Sequence, residues 1–144
     1  MTGGRQGWEE DFPIREEVED HAGRRRAFVI NCYEGGLGFT VRAEEEGSPD
    51  AGYQFAAYSE ISPYSALGRL RRKMRRGLAT RHLTGSPGAY EMLHDKLSGR
   101  ITSDGNGGVV LVVDGKAVGI ENLIAMLLTH EGWECELQIV DALE

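Results

Sequence analysis

Seven basic side chains, Arg69, Arg71, Arg72, Lys73, Arg75, Arg76 and Arg81, fall within residues 67–83 of a chain whose formal net charge is −7. The rest of the chain therefore carries −14. Guanidinium and ammonium groups bind carboxylates and phosphates through charge-assisted hydrogen bonds. Gathered on one exposed face, they would also release counterions from a nucleic acid and give salt-dependent binding. Two kinds of surface fit this run: an acidic protein, including another copy of the chain, or a nucleic acid. Tyr58, Tyr64 and His82 lie near it in sequence as candidate stacking groups for bases. Against a nucleic acid stands the isoelectric point of about 5.1, since nucleic-acid-binding domains are usually basic. Against both stands plain solvation, or pairing with the protein's own acid. Residues 27–60 sum to −5 and 89–144 to −7, so the basic element is flanked by acid on both sides.

Other residue patterns carry less chemistry. The histidines, His21, His82, His94 and His130, are scattered, and neither Cys32 nor Cys135 lies in a C-x-x-C pair, so no zinc site is expected. Both cysteines sit in apolar, strand-like segments and are expected to be reduced. Asp104–Gly108 (DGNGG) opens like a calcium loop, but the EF-hand spacing puts glycine where a ligand and the closing glutamate are needed. A hairpin turn accounts for it. Glu34–Gly38 is glycine-rich yet joins two strands, so no helix N-terminus is there to hold phosphate. No serine stands in G-x-S-x-G. Glu44, Glu45 and Glu46 are consecutive and cannot all converge from a strand. His130 is expected at a helix C-terminus, where the dipole favours its charged form, and Trp133 as a core anchor. The expectation is a protein that is not an enzyme, with no catalytic residue, cofactor, metal or small-molecule ligand.

The elements that would position the basic run follow from periodicity. Residues 1–23 hold Gly3, Gly4, Gly7, Pro13 and many charges, and read as a disordered arm. The remainder, 24–144, reads as one α+β domain, or as two lobes over 27–84 and 89–144. Ala27–Tyr33, Gly38–Ala43 and Tyr53–Tyr58 alternate as strands of an antiparallel β-meander with one buried face, with a polar loop over Glu44–Gly52. Ser62–Pro63 then supplies an N-cap and first-turn proline. Leu67, Leu70, Met74 and Leu78 recur at spacings of three, four and four, which predicts a helix packed on the meander. That stripe would turn Arg69, Arg72, Lys73 and Arg76 outward together as the interaction face, with Gly77 weakening the helix near its end. Ala89–Leu97 reads as a short helix in preference to a strand, with Tyr90, Leu93 and Leu97 inward. A β-hairpin–helix–strand module follows. Arg100–Ser103 is a strand, and Val109–Val113 a central strand buried on both faces. Asp114–Gly115 is a tight turn and Lys116–Val118 the return strand. Ile120, Leu123, Ile124, Leu127 and Leu128 form the inward stripe of a helix stopped by Gly132. Glu134–Val140 alternates as a closing strand. Leu70, Met74, Val110, Val112, Leu123 and Leu127 are the expected core.

Ala66–Leu83 resembles the basic helix of an uncharacterised bacterial protein family, and Val113–Asp141 is similar to its C-terminal module. In that module an Asp-Gly turn leads to an amphipathic helix ending in Glu-Gly-Trp, then to an alternating strand ending in Asp. The matching positions are Asp114, Gly115, Met126, Leu127, Glu131, Gly132, Trp133, Leu137, Ile139 and Asp141. The resemblance spans about residues 50–141 and implies a fold but no activity. No signal peptide is visible in residues 1–20 and no apolar run, Val109–Val113 included, is long enough to span a bilayer, so a cytoplasmic protein off the membrane is expected. The leading expectation is an interaction or regulatory module whose basic helix contacts an acidic protein surface or a second copy. The alternative is a nucleic-acid-binding accessory protein that uses the same helix.

Overall fold

The computed structural model describes residues 7–47 and 51–144. The first part of the expected arm (1–6) and the centre of the polar loop (48–50) lie outside them. The protein is α+β and divides into two compact units. One comprises 1–49, 54–79 and 140–144; the other comprises 50–53 and 80–139.

The first unit is a four-stranded antiparallel meander, β1 (Ile14–Glu19), β2 (Arg25–Gly35), β3 (Gly38–Glu45) and β4 (Gln54–Ser59), covered on one face by α1 (Pro63–Ala79). The register stacks Ile14, Ile30, Ala43 and Phe55 across the sheet, and Cys32, Val41 and Ala57 beside them. Leu67, Leu70, Met74 and Leu78 are buried as the stripe requires, joined by Pro63 and Ala66. The Ser62 hydroxyl accepts the Ser65 N–H at 3.0 Å as the N-cap. A Cβ on Gly77 would come within 2.6 Å of the Phe55 ring, so this glycine lets helix and sheet approach rather than merely weakening the helix.

The disordered arm is corrected between residues 7 and 23. Gly7–Asp11 forms a 3-10 turn whose Trp8 ring meets Phe39 and Phe12 edge-on. Ile14–Glu19 is a full edge strand of the meander. Its alternation was masked because Glu16, between Ile14 and Val18, also points inward, where Arg71 of α1 takes it at 2.8 Å. The β1–β2 turn is held by Asp20, whose buried carboxylate accepts the Ala22 and Arg24 N–H groups and the Arg26 guanidinium. Burial pushes this carboxyl up, but the Arg26 hydrogen bond, the two backbone donors and the Arg26 charge outweigh it and hold it at about 2.

The second unit contains a two-stranded ribbon, β5 (Leu83–Thr84) with β6 (Glu91–Met92). A separate three-stranded sheet follows, ordered β7 (Arg100–Ser103), β8 (Val109–Val113), β9 (Lys116–Gly119), and then α2 (Ile120–Leu128). Its core is Leu83, Tyr90, Val113, Val118 and Met126. Asp114 and Gly115 both take positive φ, +54° and +74°, as the two-residue hairpin demands. The Asp104 carboxylate accepts the Asn106 and Gly108 N–H groups, which closes the β7–β8 turn.

Six expectations in this unit are corrected. Ala89–Leu97 is not helical: β6 occupies part of it, with Tyr90 buried and Leu93 exposed. β8 is central but buried only at Val112 and Val113; Val109 is exposed and Val110 half-buried. The last helix ends at Leu128, with Thr129 as C-cap, before Gly132 is reached. Glu134–Val140 forms no strand and is exposed throughout. α2 is also rotated from the expected orientation. It buries Asn122 and Met126, with Leu123 half-buried, and turns Ile120, Ile124, Leu127 and Leu128 outward. The rotation is set by a two-point bond: Asn122 Oδ1 accepts the Tyr90 N–H and Nδ2 donates to the Tyr90 carbonyl, each at 2.9 Å. A buried amide that meets its backbone partners in one orientation outweighs a looser preference for apolar contact. Trp133, expected as a core anchor, is exposed and stands edge-on to His130.

Candidate functional site

The cationic face of α1 is built on a helix that contains six basic side chains and no acidic one. At about 100° per residue, Arg69, Arg72, Arg75 and Arg76 point away from the buried stripe, and all four are exposed. Arg71 and Lys73 occupy the flanks and are half-buried. Arg71 is neutralised by Glu16 of β1. Lys73, expected on the outward face, is instead held against the protein. Its Nζ donates to the carbonyls of Ala56 (2.8 Å) and Ala142 (3.1 Å). Burial pushes its ammonium below the usual lysine range; Arg69 adds to this, and Asp141 and Glu144 oppose it. Three of the four expected residues, Arg69, Arg72 and Arg76, therefore share the outer face. Arg75 joins them in place of Lys73. Measured from Leu67, Leu70, Met74 and Leu78, helix spacing places Arg75 and Lys73 each roughly 100° away, so the sequence alone does not separate them.

The outer face is not uniform. Arg69 reaches back to donate to the Tyr58 carbonyl at 3.2 Å, beside a shallow cleft of about 290 Å³ lined by Tyr58, Ser59, Glu60, Ile61 and Arg69. Arg72 and Arg76 are one turn apart, and Arg76 lies in the last turn, where a cation offsets the negative end of the helix.

The aromatic groups near the helix are committed elsewhere. The Tyr64 hydroxyl donates to Asp11 at 2.6 Å, which raises the phenol's pKa above its usual value. The Tyr58 ring packs against Gly38. In the second unit Asp114 accepts the His82 and Leu83 N–H groups at 2.8 Å each, and its Oδ1 lies 3.1 Å from His82 Nδ1. This His–Asp contact secures the approach to β5. His130 Nε2 lies 2.9 Å from Asp95, and Nδ1 lies 3.1 Å from the Met126 carbonyl at the end of α2. Asp95 and that carbonyl push the imidazole above its usual value. Both cysteines are free thiols. Among the described residues no group of three or more His, Cys, Asp or Glu side chains is placed to hold a metal, and no helix is long and apolar enough to cross a membrane.

Comparison with known proteins divides the chain near the unit boundary. Residues 10–79 match the model of a domain of unknown function (DUF7686), and residues 82–144 match a second domain of unknown function (DUF7713). The first match takes in β1 to α1, and the second the whole β-hairpin–helix module with the tail after it. No curated protein and no solved structure matches the chain significantly.

Proposed function

We propose that this is a non-enzymatic cytoplasmic interaction or regulatory module, and that the outward face of α1 docks an acidic protein surface. The observation that carries this reading is the division of labour among the six cations of α1. Arg71 and Lys73 are absorbed internally, while Arg69, Arg72, Arg75 and Arg76 stay on one exposed face. Arginine suits this role because its planar fork binds carboxylates two-pronged. A protein partner is favoured over a nucleic acid by the neighbouring aromatics. Tyr58 is packed on Gly38 and the Tyr64 hydroxyl is tied to Asp11, which restricts the stacking that single-stranded binding uses.

The test is Arg72→Glu combined with Arg75→Glu. Both side chains are exposed, so thermal stability should stay within about 0.5 kcal/mol of wild type. Binding to a poly-glutamate peptide and to short DNA would be titrated at 50 and 200 mM salt. The expected result is peptide binding weakened at least tenfold by the double change, with DNA the poorer ligand at both salt concentrations. DNA binding that is tighter and steeply salt-dependent would favour the nucleic-acid alternative. Peptide and DNA binding both untouched by charge reversal would remove the contact-surface reading altogether.

A further inference from the structure

We propose that the second unit binds a second copy of the chain, the segment 133–139 of each copy lying on the apolar face of α2 of the other. Two unfinished elements on one unit carry the inference. The first is α2, which presents Ile120, Ile124, Leu127 and Leu128 to solvent at 50%, 51%, 53% and 68% exposure. This face cannot turn inward without breaking the buried Asn122–Tyr90 bonds. The second is the tail. Its sequence alternates as a strand does, yet no backbone hydrogen bond joins residues 134–139 to any described residue. Trp133, Leu137 and Ile139 are 67%, 87% and 72% exposed.

Together these seven residues leave half or more of their surface in water in each copy, on one helix face and one tail of the same unit. Exposed apolar surface of this kind marks an interaction site. A second copy is the occupant because the chain holds both halves of the contact. Among the described residues, the alternating tail has no sheet to join and the apolar face of α2 has no cover. Among the described residues, β7 and β9 each pair only with β8, so each has one edge without a strand partner. A two-fold arrangement satisfies both elements twice, and its contact is closed, so it does not propagate. The alternating Glu134, Glu136 and Gln138 would remain on the outer side of the docked strand.

The full chain would be measured by light scattering at about 100 μM, with two double variants. One is Leu127→Glu with Leu128→Glu; the other is Leu137→Glu with Ile139→Glu. All four side chains are exposed within one chain, so circular dichroism should stay native-like for both. Wild type is expected at twice the 15.8 kDa chain mass, and each variant at one chain. Mixed in equal amounts, the two variants should form a heterodimer more weakly than wild type pairs, since one helix–tail contact is intact. Loss of native-like dichroism in a variant would show that its side chains are packed within one chain, against the proposal. A wild-type monomer, a dimer that survives both double changes, or variants that do not associate on mixing would each overturn it.

Discussion

At the scale of single residues, the carboxylate of Asp20 is the most heavily committed group in the first unit. Its folded value of about 2 lies below the ordinary 3.8, so its contribution to stability is complete above that ordinary value. It is lost as pH falls from about 4 through 2. Carboxyl NMR titration should place its midpoint near 2, and Arg26→Gln should move it upward. Asp20→Ala removes the acceptor for two N–H groups and one guanidinium, leaving Arg26 with Glu45. A loss of about 2–4 kcal/mol in urea unfolding is expected. His130 titrates in the opposite sense. Its folded value is raised, so its contribution is full below about 6.5 and lost as pH rises through the folded value. Asp95→Asn should bring the imidazole midpoint down, read from its ring-proton shifts.

At the scale of elements, two helices follow opposite rules. α1 obeys its apolar stripe, and Gly77 fits it to the sheet. Alanine at position 77 would gain about 1 kcal/mol of helix propensity, but its Cβ would meet the Phe55 ring at 2.6 Å. Overpacking of this kind costs about 1–3 kcal/mol. Gly77→Ala should therefore destabilise by roughly 1 kcal/mol, and a stabilised variant would mean that Phe55 yields freely. α2 obeys a polar anchor instead. Asn122→Ala strands the buried N–H and carbonyl of Tyr90 and should cost about 2–3 kcal/mol. Leu127→Ala, by contrast, should cost under about 1 kcal/mol in dilute protein, where only the half-exposed side chain of one copy is trimmed. Expecting Leu127 in the core would have implied about 2–5 kcal/mol, so chemical denaturation of these two variants separates the two helix orientations.

At the scale of the whole molecule, charge and apolar surface are segregated onto different units. The first unit carries the cationic helix face, and the second carries the apolar helix face and tail. The two domain matches, 10–79 and 82–144, follow the same division. The first unit has a four-stranded sheet with a helix on one face, which is sufficient for independent stability. Residues 1–79 alone should thus give a dispersed amide NMR spectrum and unfold cooperatively. They should be weaker than the full chain, because Lys73 loses the Ala142 carbonyl. A collapsed spectrum would show that the meander depends on the rest of the chain.

What the sequence by itself determined was whatever rests on local repetition. The three later meander strands, the cap at Ser62, the stripe of α1, the Asp114–Gly115 hairpin and the outward placing of Arg69, Arg72 and Arg76 all follow from side-chain period and turn chemistry. These act over a few residues. What only the tertiary structure decided were the features fixed by partners far along the chain. β1 can turn Glu16 inward because Arg71, 55 residues away, donates to its carboxylate. Lys73 leaves the cationic face because two carbonyls, one of them at Ala142, lie within its reach. α2 turns its apolar stripe to solvent because Asn122 finds the backbone of Tyr90, 32 residues earlier. A periodic pattern shows which face of an element is apolar. Whether that face turns inward depends on which buried polar groups must be satisfied, and their partners are brought together only by folding.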